Sequence, residues 1–205
     1  EWVESKTYWR QNVRNQTLGM LREGLHSRAM TRDIEWGVPV PLEGYESKRI
    51  YVWFEAVMGY LSATKAWAEQ QGKPDEWKKF WVEPDGETYY FQGKDNVSFH
   101  TIILPSILLG NGGLNLPTDV VANEYLTFRG ADFSKSTGNA VEVTDFLSGY
   151  EADPLRYYLA SIMPETSDSE FTWAGFHAAN NNELVATFGN FVHRVLTITT
   201  RNFDN

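Results

Sequence analysis

A lysine between two serines marks the segment of the chain with the clearest potential for chemistry. Ser134, Lys135 and Ser136 stand just before Gly138, so a flexible cation lies on a hydroxyl-rich loop that ends in a turn residue. Lysine is a compact charge on a flexible stem, and closure of a loop can gate an enzyme's turnover. The segment is suited to hold a phosphate group during a reaction and then to release it. It is equally compatible with a solvated surface turn, so other segments have to decide between the two interpretations.

A second group of polar residues follows a predicted strand. Lys94 and Asp95 come directly after the strand predicted at residues 88–92, and open α/β sheets bind ligands at the carboxyl ends of their strands. A carboxylate there can accept hydrogen bonds from ribose hydroxyl groups, although position alone also fits a helix cap. Asn96 and His100 share a helical face near that strand end. By itself, a histidine on such a helix is more typical of a structural residue than of a ligand.

Trp53 and Tyr60 are candidates for the wall of an apolar pocket. Trp53 lies near the end of a strand predicted at residues 49–54, and Tyr60 lies on the helix predicted to follow it. Aromatic side chains commonly line ligand pockets. Residues placed in this way are core residues by default, so the pocket needs further support.

The elements that must position these residues alternate between strand and helix. Short apolar runs rich in β-branched and aromatic residues predict three strands, at residues 49–54, 88–92 and 119–122. Helices are predicted at residues 5–23, 55–70 and 97–109, the first of them ended by Gly24. This alternation favours an α/β fold with an open parallel sheet.

From residue 143 onwards the pattern is helical. Asp153 followed by Pro154 predicts a helix with an aspartate cap and a proline at its first position. A polar break at residues 167–173 precedes a final helix predicted at residues 174–200, and its apolar side chains predict a buried stripe. The stripe comprises Leu184, Phe188, Phe191, Val192, Val195 and Leu196.

Composition limits the classes of function. The chain has 205 residues, a formal net charge of −9 and no cysteine. This charge argues against a broad basic surface for nucleic acid, and the lack of cysteine excludes a disulfide or a cysteine-ligated zinc site within the chain. No apolar run reaches the length of a membrane span, and the first residues do not form a signal peptide. We therefore expect a cytoplasmic protein, or an internal piece of one, without a membrane partner.

Four segments follow one another in a diagnostic order. They are residues 31–39 (TRDIEWGVP), 51–56 (YVWFEA), 93–100 (GKDNVSFH) and 133–139 (FSKSTGN). This order resembles the methionyl-tRNA synthetases, a family of class I aminoacyl-tRNA synthetases, over nearly the whole chain. Four ordered motifs are far more specific than one. The resemblance implies an α/β fold in which the second half of a doubly wound, parallel, Rossmann-like nucleotide-binding sheet is followed by an α-helical segment.

The resemblance also implies a two-step reaction in translation. L-Methionine and ATP, the latter as its Mg²⁺ complex, would give methionyl-adenylate, which would then esterify tRNA(Met). Lys135 matches the second lysine of the family's Lys-Met-Ser-Lys-Ser signature and would stabilise phosphate charge, and Arg32 matches an arginine used for activation. Residues 133–139 are called the serine-lysine loop below. The expected ATP and adenylate contacts are Gly93, Lys94, Asp95, Ser134, Lys135 and Ser136.

Other positions match the family's amino-acid and tRNA sites. The expected methionine pocket comprises Trp53, Ala56, Tyr60, Asn96 and His100. Near the end of the chain, Arg201 matches a position linked to anticodon recognition, and His193 lies two turns before it. For these last two residues a solvated helix end is the competing interpretation.

The chain departs from the family in three ways. Asp132 and Phe133 stand where the signature usually has lysine and methionine. This predicts a weakened but functional loop, because Phe133 can anchor the loop as methionine would. No His-Ile-Gly-His-type signature is present, and the zinc-bearing connective insertion is missing. Zinc is therefore possible in a longer parent protein, but no metal is expected on this segment.

The simplest explanation of these departures is an internal fragment with three parts. Residues 1–41 would end the connective region, residues 42–150 would form the second half of the catalytic domain with the serine-lysine loop, and residues 151–205 would form linking helices and the first helix of the anticodon-binding bundle. The isolated segment should not form adenylate. Two alternatives remain, a related leucine, isoleucine or valine synthetase and a non-catalytic module that binds tRNA or nucleotide. The sequence specifies no oligomeric state.

Overall fold

The computed structural model describes residues 1–203, and the chain divides into two compact units. Unit 1 is Glu1–Ala122 and unit 2 is Asn123–Asn205. The three functional parts expected from the sequence stay a prediction, because a compact unit and a functional part need not share a boundary.

Unit 1 alternates helices with short strands. Its helices are α1 (Trp2–Ser5), α2 (Gln11–Glu23), α3 (Val52–Gln70), α4 (Lys78–Trp81) and α5 (Leu104–Asn111). Its strands are β1 (Thr31–Arg32), β2 (Arg49–Ile50), β3 (Tyr89–Gly93) and β4 (Asp119–Asn123), the last of which ends one residue into unit 2. β1 and β2 form an antiparallel pair, and β3 lies beside β4 in a second sheet.

Helix α2 confirms most of the first predicted helix. It buries Val13, Thr17 and Leu18 and ends at Gly24, whose φ of 93° favours glycine. The helix begins at Gln11 rather than at residue 5, because Arg10 has an extended backbone with φ −52° and ψ 137°.

The strand predicted at residues 49–54 is wrong beyond Ile50. Helix α3 begins at Val52 and buries Val57, Leu61 and Ala68 along one face. A short apolar run has no period of its own, so strand and buried helix cannot be told apart from it. Here the helical spacing of the apolar residues after position 54 determines the structure, and the helix includes Val52 and Trp53.

The two remaining predicted strands of unit 1 are confirmed as β3 and β4, and both are covered by helices. Val120 and Ala122 of β4 pack in one hydrophobic cluster with Val13 and Leu18 of α2. Tyr90 of β3 packs in another cluster with residues of α3 and α5, including Leu61, Leu104 and Leu108. Helices packed on strands are the arrangement expected of an α/β fold.

The helix predicted at residues 97–109 is present but irregular. A 3₁₀ turn, Lys94–Asn96, and a π-helical segment, Phe99–Ile103, precede α5. Pro105 lies in the first turn of α5, directly after the π-helical segment, and a proline donates no backbone N–H to the preceding turn. π-helical segments occur frequently at functional sites, and this one carries His100.

Unit 2 contains a three-stranded sheet in the order β6–β5–β7. Its strands are β5 (Leu126–Phe128), β6 (Ala131–Asp132) and β7 (Ser169–Phe171). β5 runs antiparallel to β6 and parallel to β7. The turn between β5 and β6 is formed by Arg129 and Gly130, with φ values of 54° and 72°, as two-residue hairpins require.

The helices of unit 2 pack aromatic residues against this sheet. They are α6 (Val143–Gly149), α7 (Ala152–Ser161), α8 (Trp173–Ala178) and α9 (Asn190–Asn202), with a π-helical segment, Ala179–Gly189, before α9. Phe128 and Phe171 of the sheet pack with Phe146, Tyr158 and Phe176 of the helices. The final predicted helix is thus confirmed in position, although much of it is π-helical.

Three local predictions for unit 2 differ from the structure. The supposed polar break contains β7, because Phe171 is buried in the core. Helix α7 has Glu151 at its N-cap without a side-chain hydrogen bond, so the predicted Asp153 cap is wrong. The predicted stripe is not buried, since Phe188 and Phe191 are 60% and 63% exposed and no other element among residues 1–203 covers them.

Candidate active site

Tyr60, Asn96 and His100 form one hydrogen-bonded network in unit 1. The Tyr60 hydroxyl lies 2.8 Å from His100 Nε2, and His100 Nδ1 lies 3.0 Å from the Asn96 carbonyl oxygen. Burial lowers the pKa of His100 below its usual value. A neutral ring that faces a carbonyl must carry its proton on Nδ1, so Nε2 accepts the hydrogen bond that Tyr60 donates.

Three further rings complete an uncharged aromatic surface. Tyr90 packs with its centroid 5.1 Å from the Tyr60 ring and 5.3 Å from the His100 ring, and burial raises its pKa to about 12. Trp53 stacks on Phe99 at 5.1 Å. We call these five residues, Trp53, Tyr60, Tyr90, Phe99 and His100, the aromatic cluster.

Helix α3 explains why three of the expected methionine contacts belong together. Trp53, Ala56 and Tyr60 are spaced three and four residues apart on this helix, so they share one face. Trp53 and Tyr60 join the aromatic cluster, while Ala56 lines a neighbouring cavity of about 750 Å³ together with Trp36 and Gly37. The structure therefore joins Tyr60, Asn96 and His100 by hydrogen bonds, and it stacks Trp53 on Phe99, the residue next to His100.

Tyr90 and Phe99 are the two members of this cluster that the sequence analysis did not select. The signal for Tyr90 was its position in β3, three residues before Gly93, the first residue of the GKDNVSFH motif. The signal for Phe99 was its place beside His100 within the GKDNVSFH motif.

Gly93 and Asp95 lie in direct contact at the end of β3. A Cβ atom added at Gly93 would stand 2.8 Å from Asp95 Oδ1, closer than packed atoms allow, so only glycine leaves the carboxylate in place. Asp95 Oδ1 also accepts a hydrogen bond of 3.2 Å from Asn96 Nδ2, and the side chain is exposed. Together with Lys94 in the same 3₁₀ turn, this carboxylate is oriented and open to a ligand.

Arg32 is held by its own surroundings in β1. Its guanidinium carbon lies 3.9 Å from the centre of the Tyr51 ring, and Nη1 donates to the carbonyl oxygens of Ala29 and Thr31 at 3.0 and 2.9 Å. Stacking and hydrogen bonding fix the plane of the group, which suits an arginine that orients an anion.

The serine-lysine loop of unit 2 is a closed turn with an exposed cation. The Ser134 amide donates to the Asn139 carbonyl at 2.9 Å, and the Gly138 amide, at a φ of 72°, donates to the Lys135 carbonyl at 3.2 Å. The Ser134 and Ser136 hydroxyl groups lie 3.2 Å apart. The Lys135 side chain is 83% exposed, and its Nζ is 3.4 Å from Glu142 Oε1.

Phe133 anchors this loop to the sheet. Its ring stacks on buried Phe128 at 5.6 Å with an angle of 18° between the planes. It also lines a small apolar cavity of about 160 Å³ with Leu126 and Val141. A phenylalanine can therefore fulfil the packing role expected of the signature's methionine.

His193 and Arg201 lie on α9, and both are exposed. The His193 carbonyl accepts a hydrogen bond of 2.7 Å from Thr197 Oγ1, one turn further along. The eight-residue spacing between His193 and Arg201 leaves both side chains on the same half of the helix.

Residues 1–203 show neither a metal-binding group nor a membrane-spanning helix. In this part of the chain no three histidine or carboxylate side chains come together in a group that could hold a metal ion. No described helix combines the length and the apolar character needed to cross a membrane.

Comparisons with known proteins give one consistent result. The family model for tRNA synthetases class I (M) matches residues 1–196. A methionine–tRNA ligase of Dehalococcoides mccartyi is 60% identical over 200 residues, which cover 98% of this chain and 36% of that protein. A methionine–tRNA ligase of Thermomicrobium roseum is 52% identical over 204 residues, covering 99% of this chain and 35% of that protein.

Solved structures agree with the sequence relatives. A Mycobacterium tuberculosis methionyl-tRNA synthetase in complex with methionyl-adenylate has a TM-score of 0.76 at 25% identity, with 95% of this chain and 36% of that chain covered. The apo form of a methionyl-tRNA synthetase from the same organism has a TM-score of 0.72 at 22% identity, covering 94% and 35% of the two chains. The chain thus spans a little over a third of the length of the relatives it matches.

Proposed function

The chain belongs to the class I tRNA synthetases (M), and from this premise we propose that it is part of an enzyme that attaches methionine to tRNA. The observation that carries the proposal is the aromatic cluster of unit 1. It is supported by the 60% identity of the chain to a methionine–tRNA ligase. The cluster is uncharged, because His100 is neutral and Tyr90 keeps its proton. Such a surface suits a thioether, which binds through shape and sulfur–aromatic contact.

In the proposed first step, the methionine carboxylate attacks the α-phosphorus of ATP. A new oxygen–phosphorus bond forms, the bond to the β-phosphate breaks, and pyrophosphate leaves with its Mg²⁺. Lys135 stabilises the charge that develops on the leaving phosphates, and Ser134 and Ser136 donate hydrogen bonds beside it. Arg32 orients the anionic groups with its fork of donors.

Residues of β3 and the following 3₁₀ turn hold the nucleoside part in this proposal. The Asp95 carboxylate accepts hydrogen bonds from ribose hydroxyl groups, and Lys94 lies beside it. Gly93 supports this role, because any larger residue would displace the carboxylate. Methionine itself contacts Trp53, Ala56, Tyr60, Asn96 and His100.

In the proposed second step, a hydroxyl group of the tRNA's terminal adenosine attacks the adenylate's carbonyl carbon and AMP leaves. His193 and Arg201 on α9 contact the anticodon, where exposed side chains can stack on unpaired bases or donate to their edges. We further propose that the enzyme acts in the cytoplasm and that any zinc it holds is bound outside this chain.

The test is amino-acid-dependent exchange of radioactive pyrophosphate into ATP by the full-length protein. We expect exchange with methionine and none with leucine, isoleucine or valine. Exchange with one of those three but not with methionine would assign the chain to a related synthetase. A folded full-length protein that exchanges with none of the four would support the non-catalytic binding module instead.

A second measurement addresses the segment alone. The 205-residue chain should show no exchange, because half of the expected ATP site lies outside it. Activity of the isolated chain at a rate comparable to the full-length protein would contradict the proposal that the first half of the nucleotide fold is required.

A further inference from the structure

One side-chain amide hydrogen-bonds the base of the serine-lysine loop to the sheet, in addition to the stacking of Phe133 on Phe128. Asn139 Nδ2 donates to the Phe128 carbonyl oxygen at 2.7 Å and to the Asp132 carbonyl oxygen at 3.0 Å. Phe128 ends β5 and Asp132 ends β6. A single amide group therefore bridges the two strands of the hairpin from which the loop emerges.

The backbone of the same residue closes the loop. The Asn139 carbonyl accepts the Ser134 amide at 2.9 Å, and these two residues form an isolated antiparallel bridge. Asn139 is half-buried, whereas the loop residues between Lys135 and Gly138 are exposed. The hydrogen bonds that fix where the loop leaves the sheet are thus concentrated on Asn139.

The tip of the loop has much weaker support. The Lys135 ammonium has an ion pair with Glu142 at 3.4 Å, and both side chains are largely exposed. Exposed pairs of this kind contribute little, since solvent and salt screen them. The other contacts within the tip are a hydrogen bond of 3.2 Å from the Gly138 amide to the Lys135 carbonyl oxygen, the Ser134–Ser136 hydroxyl pair and a Thr137 hydroxyl at 3.4 Å from the Ser134 carbonyl oxygen. None of these contacts involves a residue of the sheet. The position of Lys135 consequently depends on the base of the loop.

We propose that Asn139 is a positioning residue that sets the place of Lys135 through its side-chain amide. This inference rests on the proposed function, because it concerns the reaction that Lys135 serves. Both partner atoms are carbonyl oxygens, which only accept, so the role requires an N–H donor at this distance from the backbone. Leucine has the same branched shape without a donor and cannot perform it.

The experiment compares methionine-dependent exchange by the full-length protein and by four variants, N139L, K135A, N139L/K135A and T172A. We expect N139L to lower kcat about tenfold or more while the KM values for methionine and ATP stay within about twofold, since small misplacements of catalytic groups are costly. In the K135A background the added N139L change should alter kcat by less than about twofold, because residues that act as a unit are not additive.

Thr172→Ala is the matched control for stability. It removes the hydrogen bond that the Gly175 amide donates to the Thr172 hydroxyl at the start of α8 in the same unit, a contact that involves no residue of the serine-lysine loop. Its kcat should equal that of the wild type. The midpoints of thermal unfolding of N139L and T172A are then compared. If both variants lose similar stability and only N139L loses activity, the loss of activity is not caused by the loss of stability.

Two outcomes would overturn the inference. One is an N139L variant with the kcat of the wild type, and the other is an equal N139L effect with and without Lys135. If the wild-type protein showed no methionine-dependent exchange, both the proposed function and the positioning role would be contradicted. If the wild type and N139L both showed full exchange, only the positioning role would be contradicted.

Discussion

Tyr60 and His100 share one hydrogen bond whose direction has a functional consequence. Because His100 Nε2 accepts from the Tyr60 hydroxyl, the lone pairs of that hydroxyl remain able to accept from a ligand's ammonium group. The Tyr60→Phe variant removes the donor and leaves a buried acceptor unpaired. We expect the KM for methionine to rise about fivefold, corresponding to ~1 kcal/mol, with a smaller change in kcat.

The control for this variant is Tyr157→Phe, which removes an exposed hydrogen bond to Glu183 in unit 2. It should leave the KM for methionine unchanged. An unchanged KM in Tyr60→Phe as well would show that the hydroxyl contributes nothing to methionine binding.

The titration of His100 gives a second prediction at the same scale. Burial lowers its pKa in the folded protein, so the unfolded chain takes up this proton first as the pH falls. The folded state is therefore favoured above the unfolded pKa of about 6.5, and this advantage is lost as the pH falls towards the folded pKa. When the pH is lowered from 7.5 to 5.5, the thermal midpoint of the wild type should fall more than the thermal midpoint of His100→Gln. A difference that stays constant would contradict this assignment.

At the scale of elements, the serine-lysine loop shows a compromise between packing and charge. Phe133 keeps the loop anchored on Phe128, but Asp132 places a negative charge in β6, directly before it. Asp132→Lys should raise kcat about threefold to tenfold, the equivalent of ~1 kcal/mol of exposed electrostatic interaction with the phosphates. The gain should shrink with added salt.

Asp85→Lys makes the same change of charge at an exposed position of unit 1. It controls for a general effect of net charge and should leave kcat unaltered. If both variants gained equally, the local role of Asp132 in the loop would be refuted.

The elements also show what the sequence could and could not predict. β3 and β4 were predictable because their apolar runs are short and bounded by turn residues. The start of α3 was not, since residues 49–54 carry no period of their own. The pairing of Tyr60 with His100 joins residues 40 positions apart, and no local pattern encodes such a contact. The anchoring role expected of Phe133 came from its match to the signature's methionine, and no local pattern named Phe128 as the ring on which it stacks.

At the scale of the whole molecule, the apolar face of the last helices is the largest conflict between pattern and structure. Phe188, Phe191, Val195 and Leu196 repeat at helical spacing, which indicates burial, yet all four are exposed in residues 1–203. An apolar face of this kind promotes association in water. We therefore expect the isolated chain to self-associate as its concentration rises, which sedimentation velocity measures directly.

The double variant F188S/F191S tests two effects of this apolar face, self-association of the isolated chain and stability of the full-length protein. In the isolated chain it should reduce self-association, because it removes two large apolar side chains from the surface. In the full-length protein it should instead lower the thermal midpoint, since burying a phenylalanine contributes about 1.5–3 kcal/mol that serine cannot replace. The control E69S/Q70S changes two exposed polar residues of α3 and should do neither. An unchanged thermal midpoint in the full-length double variant would mean that the apolar face is exposed in the full-length protein too. Its helical periodicity would then not indicate a buried interface.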